Sequence, residues 1–321
     1  MDLMNSSDGH TNQGFFLAVV SAVILSFTSI LISIISGDYQ VPALIIAFWR
    51  NFFVITCALP VLMILNAQFL IVRKKDLAFL VLFGAVLSVF NILWTLTVTL
   101  MGASVATVLV YSSGAFTAIL GYFLLKESLG WKKITAVVLC LLGCLFVSGA
   151  TDPGVWQSNT LGILTGLSSG LLYAVYSLMG RHATRRGLNP WTTLFYTFLF
   201  ATVFLFTINL LPIGFIPATA HKPVDMVILG TQWRGWLLLV ILAAGPTLVG
   251  FGLYNVSLGL LDSSTANLIL TLEPVFTGIT AYFLLYERLN FLELFGAALI
   301  LLGVILLRLR RKSKLPLQKP I

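Results

Sequence analysis

The chain has 321 residues, of which 59% are hydrophobic and only 9% are charged, and its mean hydropathy is +1.01. A water-soluble domain carries about 25% charged residues, because its surface must face water. This composition excludes a soluble globular protein and indicates a chain surrounded by lipid. The net charge of +8 does not indicate nucleic-acid binding, because the positive residues lie in separate clusters at the ends of apolar stretches.

Ten apolar stretches are long enough to cross a bilayer as helices. A hydrocarbon core of about 30 Å needs roughly 20 helical residues. The sequence therefore predicts an all-α polytopic membrane protein. Residues 1–13 contain no Lys or Arg, so the first stretch is predicted to be a retained span and not a cleaved signal peptide. The predicted spans are 14–36, 42–65, 76–99, 103–125, 131–150, 160–181, 190–211, 235–259, 264–286 and 291–309.

The sequence repeats itself. Residues 122–129 read Tyr-Phe-Leu-Leu-Lys-Glu-Ser-Leu, and residues 282–289, 160 positions later, read Tyr-Phe-Leu-Leu-Tyr-Glu-Arg-Leu. The repeat predicts two five-helix units, 14–150 and 160–309, between an N-terminal tail (1–13) and a basic C-terminal tail (310–321). Five is an odd number, so the second unit must enter the membrane from the opposite side. Such 5+5 inverted-topology repeats are typical of secondary transporters.

The distribution of Lys and Arg predicts the orientation. With both termini in the cytoplasm, fifteen of the nineteen basic residues lie inside, and only Lys222, Arg234 and Arg288 lie outside. We therefore expect a multi-pass protein of the inner or plasma membrane, with both termini cytoplasmic and the 212–234 loop outside. The basic tail is interpreted as a topological anchor, with binding to anionic lipids as the alternative.

Polar side chains within a span mark the side that faces protein or water. They are frequent in 103–125 and 264–286, which we expect to line a transport path. They are nearly absent from 131–150 and 291–309, which we expect to be peripheral. Gly143, Gly296 and Gly303 in these peripheral spans would allow close helix approach, which suggests a homodimer through the fifth and tenth helices.

Two residues are predicted to be hinges of a gate. Pro274 in the ninth span and Gly114 in the fourth occupy matching positions under the 160-residue offset. Pro removes a backbone hydrogen bond and frees a carbonyl that lipid cannot satisfy but a cavity can. Interrupted spans at corresponding positions are typical of transporter binding sites. The alternative is an ordinary kink that serves packing only.

Two charged residues lie deep within spans. Glu273 is the only acid at mid-span depth, and we expect it to contact a substrate ammonium group, to couple protons, or to serve as a structural carboxylate bonded to Arg50. Arg50, about eight residues into the second span, needs an acceptor of its own. Glu273, backbone carbonyl groups or a substrate carboxylate could each provide it.

The other candidates for the substrate site are amide and aromatic side chains at mid-span depth, with packing as the alternative role of the rings. Glu127 and Glu287 end two spans, and each is expected to bond the start of the following helix. No histidine lies in a span, and no metal-ligand cluster, nucleotide-binding glycine loop or Ser/His/Asp set occurs, so we predict neither cofactor nor metal. The candidates are Asn91, Trp94, Tyr111, Tyr173, Tyr176, Tyr196, Tyr254, Asn255 and Asn267.

Ten spans and a box that occurs twice resemble the drug/metabolite transporter superfamily, specifically its EamA type. Phe48-Trp49-Arg50-Asn51 and Leu272-Glu273-Pro274 are similar to features of that group. The resemblance implies a central cavity lined by spans 1–4 and 6–9, with spans 5 and 10 peripheral. Members move amino acids, vitamins, nucleotide sugars or other small metabolites. Spans 8 to 10 lack basic residues in their cores, which disfavours the nucleotide-sugar branch.

The expected function is a secondary carrier that moves a small metabolite by alternating access. Export of an amino acid or related zwitterion is the preferred hypothesis, with Arg50 binding a carboxylate and Glu273 an ammonium group. Uptake of a vitamin-like or lipophilic cationic compound is the alternative within transport. A membrane-embedded enzyme would need a catalytic set at membrane depth, and Glu273 alone does not provide one.

Overall fold

Helices form all the regular secondary structure of the residues that the computed structural model describes. These residues are 2–101, 103–147, 153–154, 160–211, 220, 222–285 and 290–308. Two short 3-10 helices (Ala67–Leu70 and Pro223–Val227) and a π-helical segment (Ala243–Gly250) accompany the α-helices. The α-helices are α1 (Asp2–Leu25), α2 (Phe27–Asp38), α3 (Ala43–Asn66), α4 (Lys74–Met101), α5 (Ala103–Tyr111), α6 (Ser113–Leu125), α7 (Trp131–Val147), α8 (Thr160–Arg185), α9 (Pro190–Leu210), α10 (Trp233–Leu242), α11 (Phe251–Leu260), α12 (Ser263–Leu270), α13 (Glu273–Leu285) and α14 (Phe291–Arg308).

Seven helical stretches in the described part of the chain are long and apolar enough to cross a membrane, which confirms a polytopic membrane protein. The other three predicted spans are helical but shorter or interrupted: α7 has 17 residues, a break separates α12 from α13, and the apolar part of α14 is Leu294–Leu307. The number of ten spans therefore stays a prediction. The seven stretches are His10–Asp38, Ala43–Leu70, Lys74–Met101, Ala106–Leu125, Thr160–Arg185, Pro190–Leu210 and Trp233–Leu260.

The outer surface of the bundle is apolar. Ile64 is 84% exposed, and Phe123 and Leu124 of the repeated box are 71% and 67% exposed. Exposure of this kind would be unfavourable in water, but it is favourable against lipid tails. The final residues of the second copy of the box (286–289) and the 310–321 tail lie outside the described residues.

The glycines of α7 and α14 bring these two helices together within the chain. A Cβ atom on Gly143 would lie 2.7 Å from the carbonyl oxygen of Gly296, and one on Gly303 would lie 2.7 Å from Sγ of Cys140. Only residues without a side chain allow such an approach. Contacts within the chain already cover these glycines, so they do not support the homodimer predicted through the fifth and tenth helices.

Two helices are interrupted at positions that the repeat relates. The break between α5 and α6 falls at Ser112, and the break between α12 and α13 falls at Thr271 and Leu272. Ser112 and Leu272 are 160 positions apart. The hydroxyls of Ser112 and Thr271 each donate to the carbonyl three residues earlier, both at 2.6 Å. These side chains offer the backbone a turn in place of a continuous helix.

The breaks lie two residues before the predicted hinges. Pro274 is the second residue of α13, where its missing N–H removes the bond that would have continued α12. Gly114 lies inside α6 against α12, and a Cβ atom there would be 3.0 Å from Cδ2 of Leu268. Its small size therefore serves the contact between α6 and α12, while a role of Gly114 and Pro274 in gating stays a prediction.

A further break, between α1 and α2 at Ser26, was not predicted. The Ser26 hydroxyl donates to the carbonyl oxygen of Val23 at 2.6 Å, and Thr277 of α13 donates to the carbonyl oxygen of Ser26 at 3.1 Å. The broken first helix is thus tied to the broken ninth span. The π-helical segment around Pro246 was not predicted either, and Thr247 donates to the carbonyl oxygen of Leu242 within it.

The second unit carries about 12 residues more than the first in the loop before α10. The described part of this loop packs on α3. The indole Nε1 of Trp49 donates to the carbonyl oxygen of Met226 at 2.6 Å, and the ring of Trp49 packs edge-on against Trp236 at 4.8 Å. The first unit has no matching insertion, but its shorter loop makes a similar bond: the hydroxyl of Tyr196 in α9 donates to the carbonyl oxygen of Leu70 at 2.7 Å.

Candidate functional site

A cavity lies among helices from both halves of the chain. Its wall contains residues from α1 to α5 in the first half and from α8, α11 and α13 in the second. Five of the predicted site residues are among them. None of its lining residues belongs to α7 or α14, in keeping with the peripheral position predicted for those helices. The lining residues are Leu25, Thr28, Arg50, Phe90, Trp94, Val110, Tyr111, Tyr173, Phe251 and Glu273.

Glu273 is bound by Tyr111. The tyrosine hydroxyl donates to Oε2 of the carboxylate, and both side chains are buried. Glu273 is the first residue of α13, where the N-terminal end of the helix dipole stabilises a negative charge. The break before Pro274 thus places a carboxylate at a helix start on the cavity wall.

Arg50 has a different partner. Its Nη2 donates to Oδ1 of Asn91, and the Asn91 amide donates in turn to Oδ1 of Asn51 at 3.2 Å. Arg50 is 2% exposed, and its Nε has no hydrogen-bond partner. Among the described residues no acidic group lies within 4.0 Å of the guanidinium, so the alternative of a direct bond between Glu273 and Arg50 is not what the structure shows.

Aromatic rings form much of the remaining wall. Phe90 and Tyr173 stack with their ring centroids 5.1 Å apart and their planes 14° apart, and Phe251 meets Tyr173 edge-on at 6.4 Å. Trp94 and the ring of Tyr111 complete this surface. Rings so placed cover apolar ligand surface without adding charge. The cavity therefore combines one cationic group, one carboxyl group and an apolar lining.

Four other predicted residues bond to one another away from the cavity. Asn267 donates to the hydroxyls of Ser177 and Tyr254, at 3.1 and 3.4 Å, and accepts from Ser113 at 3.0 Å. Tyr176 and Asn255 form a second pair, in which the amide donates to the tyrosine hydroxyl at 2.9 Å. Ser113 and Ser177 were not predicted, although their positions next to Gly114 and Tyr176 in polar spans were a usable signal.

Tyr196 does not reach the cavity. Its hydroxyl donates to the carbonyl oxygen of Leu70 at 2.7 Å, and its half-buried ring packs near Phe195 and Phe200. This bond ties α9 to the 3-10 helix after α3. Asn91 does not line the cavity either, and it acts on the site through Arg50.

Within the described ranges, no three His, Cys, Asp or Glu side chains lie close enough together to hold a metal ion.

Glu127 binds a helix in the other half of the chain, which corrects the expectation that it bonds the start of the following helix. Its carboxylate accepts the backbone N–H and the hydroxyl of both Ser263 and Ser264, at 2.6 to 3.2 Å, at the start of α12. Lys133 donates to the Ser264 hydroxyl at 2.7 Å. Burial raises the pKa of Glu127, but these hydrogen bonds outweigh burial and leave the pKa below its ordinary value. Glu287 lies outside the described residues.

Comparison with known proteins agrees with this architecture. A model of the EamA-like transporter family matches residues 12–149 and 160–309. The chain is 25% identical over 230 residues to an uncharacterized transporter of Synechocystis sp., an alignment that covers 72% of this chain and 66% of that relative. It is 24% identical over 308 residues to a probable amino-acid metabolite efflux pump of Salmonella typhimurium, covering 93% and 97% of the two chains.

One protein of known crystal structure has the same fold. It superposes with a TM-score of 0.73 at 15% identity, over 94% of this chain and 100% of the other. The names of the family and of the relatives indicate transporters and not enzymes. The family model matches twice along the chain, so the predicted resemblance to the drug/metabolite transporter superfamily is confirmed. The chain belongs to the EamA-like transporter family.

Proposed function

We propose that the chain is a secondary carrier of the plasma membrane that exports an amino acid or related zwitterion by alternating access. One observation carries the proposal: Arg50 and Glu273 line the same buried cavity, yet each is bonded to a neutral partner and not to the other. A buried charge without a counter-charge is costly. A ligand that carries both charges would supply the two missing partners.

The chemistry of the cavity fits such a ligand. A carboxylate binds a guanidinium strongly, and an ammonium group donates to a carboxylate. The rings of Phe90, Trp94 and Tyr173 would cover the apolar body between these ends. Export is supported by the name of the Salmonella typhimurium relative, a probable amino-acid metabolite efflux pump.

Alternating access is supported by the way the two halves share the site. We propose ten spans in a 5+5 inverted repeat, with substrate held between the units. The two helix breaks, at Ser112 and Leu272, are related by the repeat and lie beside the cavity residues Tyr111 and Glu273. At one end of the bundle, Glu127 of the first half holds α12 of the second. A carrier of this kind would break such links on one side as it forms others on the opposite side.

The proposal is tested by exchange of L-leucine in proteoliposomes that contain the purified full chain. Leucine should exchange at least about tenfold faster than leucinamide, which lacks the carboxylate, or 4-methylpentanoate, which lacks the ammonium group, because each loses one charge-assisted bond. Arg50→Gln should abolish the preference for leucine over leucinamide. Arg234→Gln, which removes an exposed charge, is the matched control. Equal exchange of the three compounds would contradict the proposal.

A further inference from the structure

Asn51 lies directly after Arg50 on α3 and is not among the predicted site residues. It does not line the cavity, and it is fully buried. Its amide Nδ2 donates to the carbonyl oxygen of Ala47 at 2.6 Å, while its Oδ1 accepts from Asn91. Ala47, Asn51, Asn91 and Arg50 therefore form one hydrogen-bonded chain that ends at the cavity wall.

Each amide in this chain has only one orientation that satisfies its neighbours. The Ala47 carbonyl can only accept, so the NH₂ group of Asn51 must face it. The Asn51 oxygen then faces Asn91 and requires the NH₂ group of Asn91. This leaves the Asn91 oxygen directed at Arg50. Turning either amide round would set donor against donor at one end, a buried mismatch that costs free energy.

The acceptor that faces Arg50 is the neutral amide oxygen of Asn91, so the positive charge of Arg50 stays available for a ligand. An amide oxygen holds Nη2 in place without cancelling the positive charge, whereas a carboxylate at the same position would cancel it. Arg50 Nε, buried and without a partner, is left for a ligand. The hydroxyl oxygen of Thr28, on the same cavity wall, is also buried and without a partner. Buried polar atoms in this state are rare in proteins.

We propose that Asn51 and Asn91 are positioning residues that present an uncompensated Arg50 to the carboxylate of the transported compound. Asn51 acts from outside the cavity by fixing the orientation of Asn91. The inference rests on the proposed function, because it identifies the carboxylate as the substrate group that Arg50 receives.

Two variants test the hydrogen-bonded chain in reconstituted full-length protein. Asn91→Asp keeps the shape of the side chain but places a carboxylate against Arg50. Asn51→Leu adds no charge and removes the bond that orients Asn91. Each should raise the KM for L-leucine about tenfold, the effect of losing one hydrogen bond to a charged group. The maximal rate should stay near that of the wild type, and the KM for leucinamide should not rise. Asn66→Asp, at the exposed C-terminal end of α3, is the control.

Iodide provides a second measurement that does not depend on the substrate. Trp94 shares the cavity with Arg50, so the fluorescence component that Trp94→Phe removes should be quenched by iodide, an anion that the guanidinium attracts. Asn51→Leu should lower this quenching several-fold while quenching by neutral acrylamide stays the same. Should Asn51→Leu fail to fold, the isosteric Asn91→Asp decides the question by the same readout.

The outcomes separate this inference from the proposed function. If the wild type does not exchange leucine but iodide quenching falls in the variants, the proposed function fails and the positioning role stands. If iodide does not quench the Trp94 component of the wild type, or if quenching and the ratio of the two KM values are unchanged in both variants, the positioning role is overturned.

Discussion

Tyr111, the last residue of α5, donates a hydrogen bond to Glu273, the first residue of α13. The two residues stand at the two helix breaks that the repeat relates, one in each half of the chain. A change in the charge of Glu273, or in what binds it, therefore acts on both interrupted helices at once. Through this bond, the cavity is linked directly to the two interrupted helices, which are the helices that the proposed gating would move.

Glu273→Gln tests whether the carboxylate couples transport to protons. A glutamine keeps an oxygen that can accept from Tyr111 but cannot take up and release a proton. We expect substrate accumulation driven by a pH gradient to be lost, while exchange without a gradient continues at a reduced rate, because a neutral amide binds the ammonium group less strongly than a carboxylate. The measurement is uptake into proteoliposomes with and without an imposed gradient. Wild-type accumulation at every pH in a folded Glu273→Gln protein would remove the functional role.

Tyr111→Phe removes the hydroxyl and leaves the buried carboxylate without this donor. An unsatisfied buried group of this kind costs about 1 to 3 kcal/mol, so the variant should unfold at lower temperature in detergent. Tyr122→Phe is the matched control, because the Tyr122 ring is 49% exposed. Equal losses of stability in the two variants would show that the bond to Glu273 contributes nothing specific.

Pro274→Ala and Gly114→Ala test the predicted hinges. Restoring an N–H at position 274 lets the helix continue, and a methyl group at position 114 tightens the contact with Leu268, which lies 3.0 Å from that point. Both variants should slow exchange while the folded protein stays abundant in the membrane. Pro60→Ala provides the control, since Pro60 lies inside α3 on an exposed face. Normal rates in both test variants would leave these residues a packing role only.

Glu127→Gln tests the link between the halves and has a defined pH dependence. The folded state holds the pKa of Glu127 below its ordinary value, so its charge contributes stability that is fully present above the unfolded pKa of about 4.3. That contribution is lost as pH falls through the lower, folded pKa. Near pH 7 the variant should be less stable by about 2 kcal/mol, because a charged acceptor of several hydrogen bonds is lost.

The measurement is thermal unfolding of the wild type and of Glu127→Gln at several values between about pH 3 and pH 7. The difference in stability between the two proteins should shrink as the pH falls toward the acidic end of this range. Asp38→Asn removes an exposed carboxylate and serves as the control. A constant difference across the range would mean that the charge of Glu127 is not what holds α12.

Orientation is tested by cysteine labelling over a background in which Cys57, Cys140 and Cys144 are replaced. Gly154→Cys and Val224→Cys should react with a membrane-impermeant thiol reagent in intact cells, because both positions are predicted to lie outside. Arg185→Cys should react only after the membrane is opened. If only Arg185→Cys were labelled in intact cells, the topology would be the reverse of the predicted one.

The sequence was sufficient to place most of the helices, the two repeat-related breaks to within two residues, and five residues of the cavity wall, because each depends on position along the chain. The break at Ser26 and the π-helical segment were not predicted. It could not predict which charged residues pair. Arg50 and Glu273 lie deep in their spans, but depth gives no information on lateral neighbours, and Arg50 binds Asn91 instead. Glu127 was assigned to the nearest helix start along the chain, whereas packing brings it to Ser263 and Ser264, 136 and 137 residues away. Only the folded bundle decides between such acceptors and donors.

The loop tied to Trp49 makes the two halves unequal. Two interchangeable halves would give the inward-open and outward-open forms the same free energy, and an empty carrier would divide its time evenly between them. The bond from Trp49 to Met226 has a counterpart in the other half, where Tyr196 of α9 donates to the carbonyl oxygen of Leu70 in the loop before α4. Among the described residues, the ring contact of Trp49 with Trp236 has no counterpart at Tyr196, whose ring pairs are with Phe195 and Phe200 of its own helix. We therefore expect that, in a carrier with alternating access, this one-sided contact favours one of the two open forms, so that the empty carrier would receive its substrate mainly from one side of the membrane.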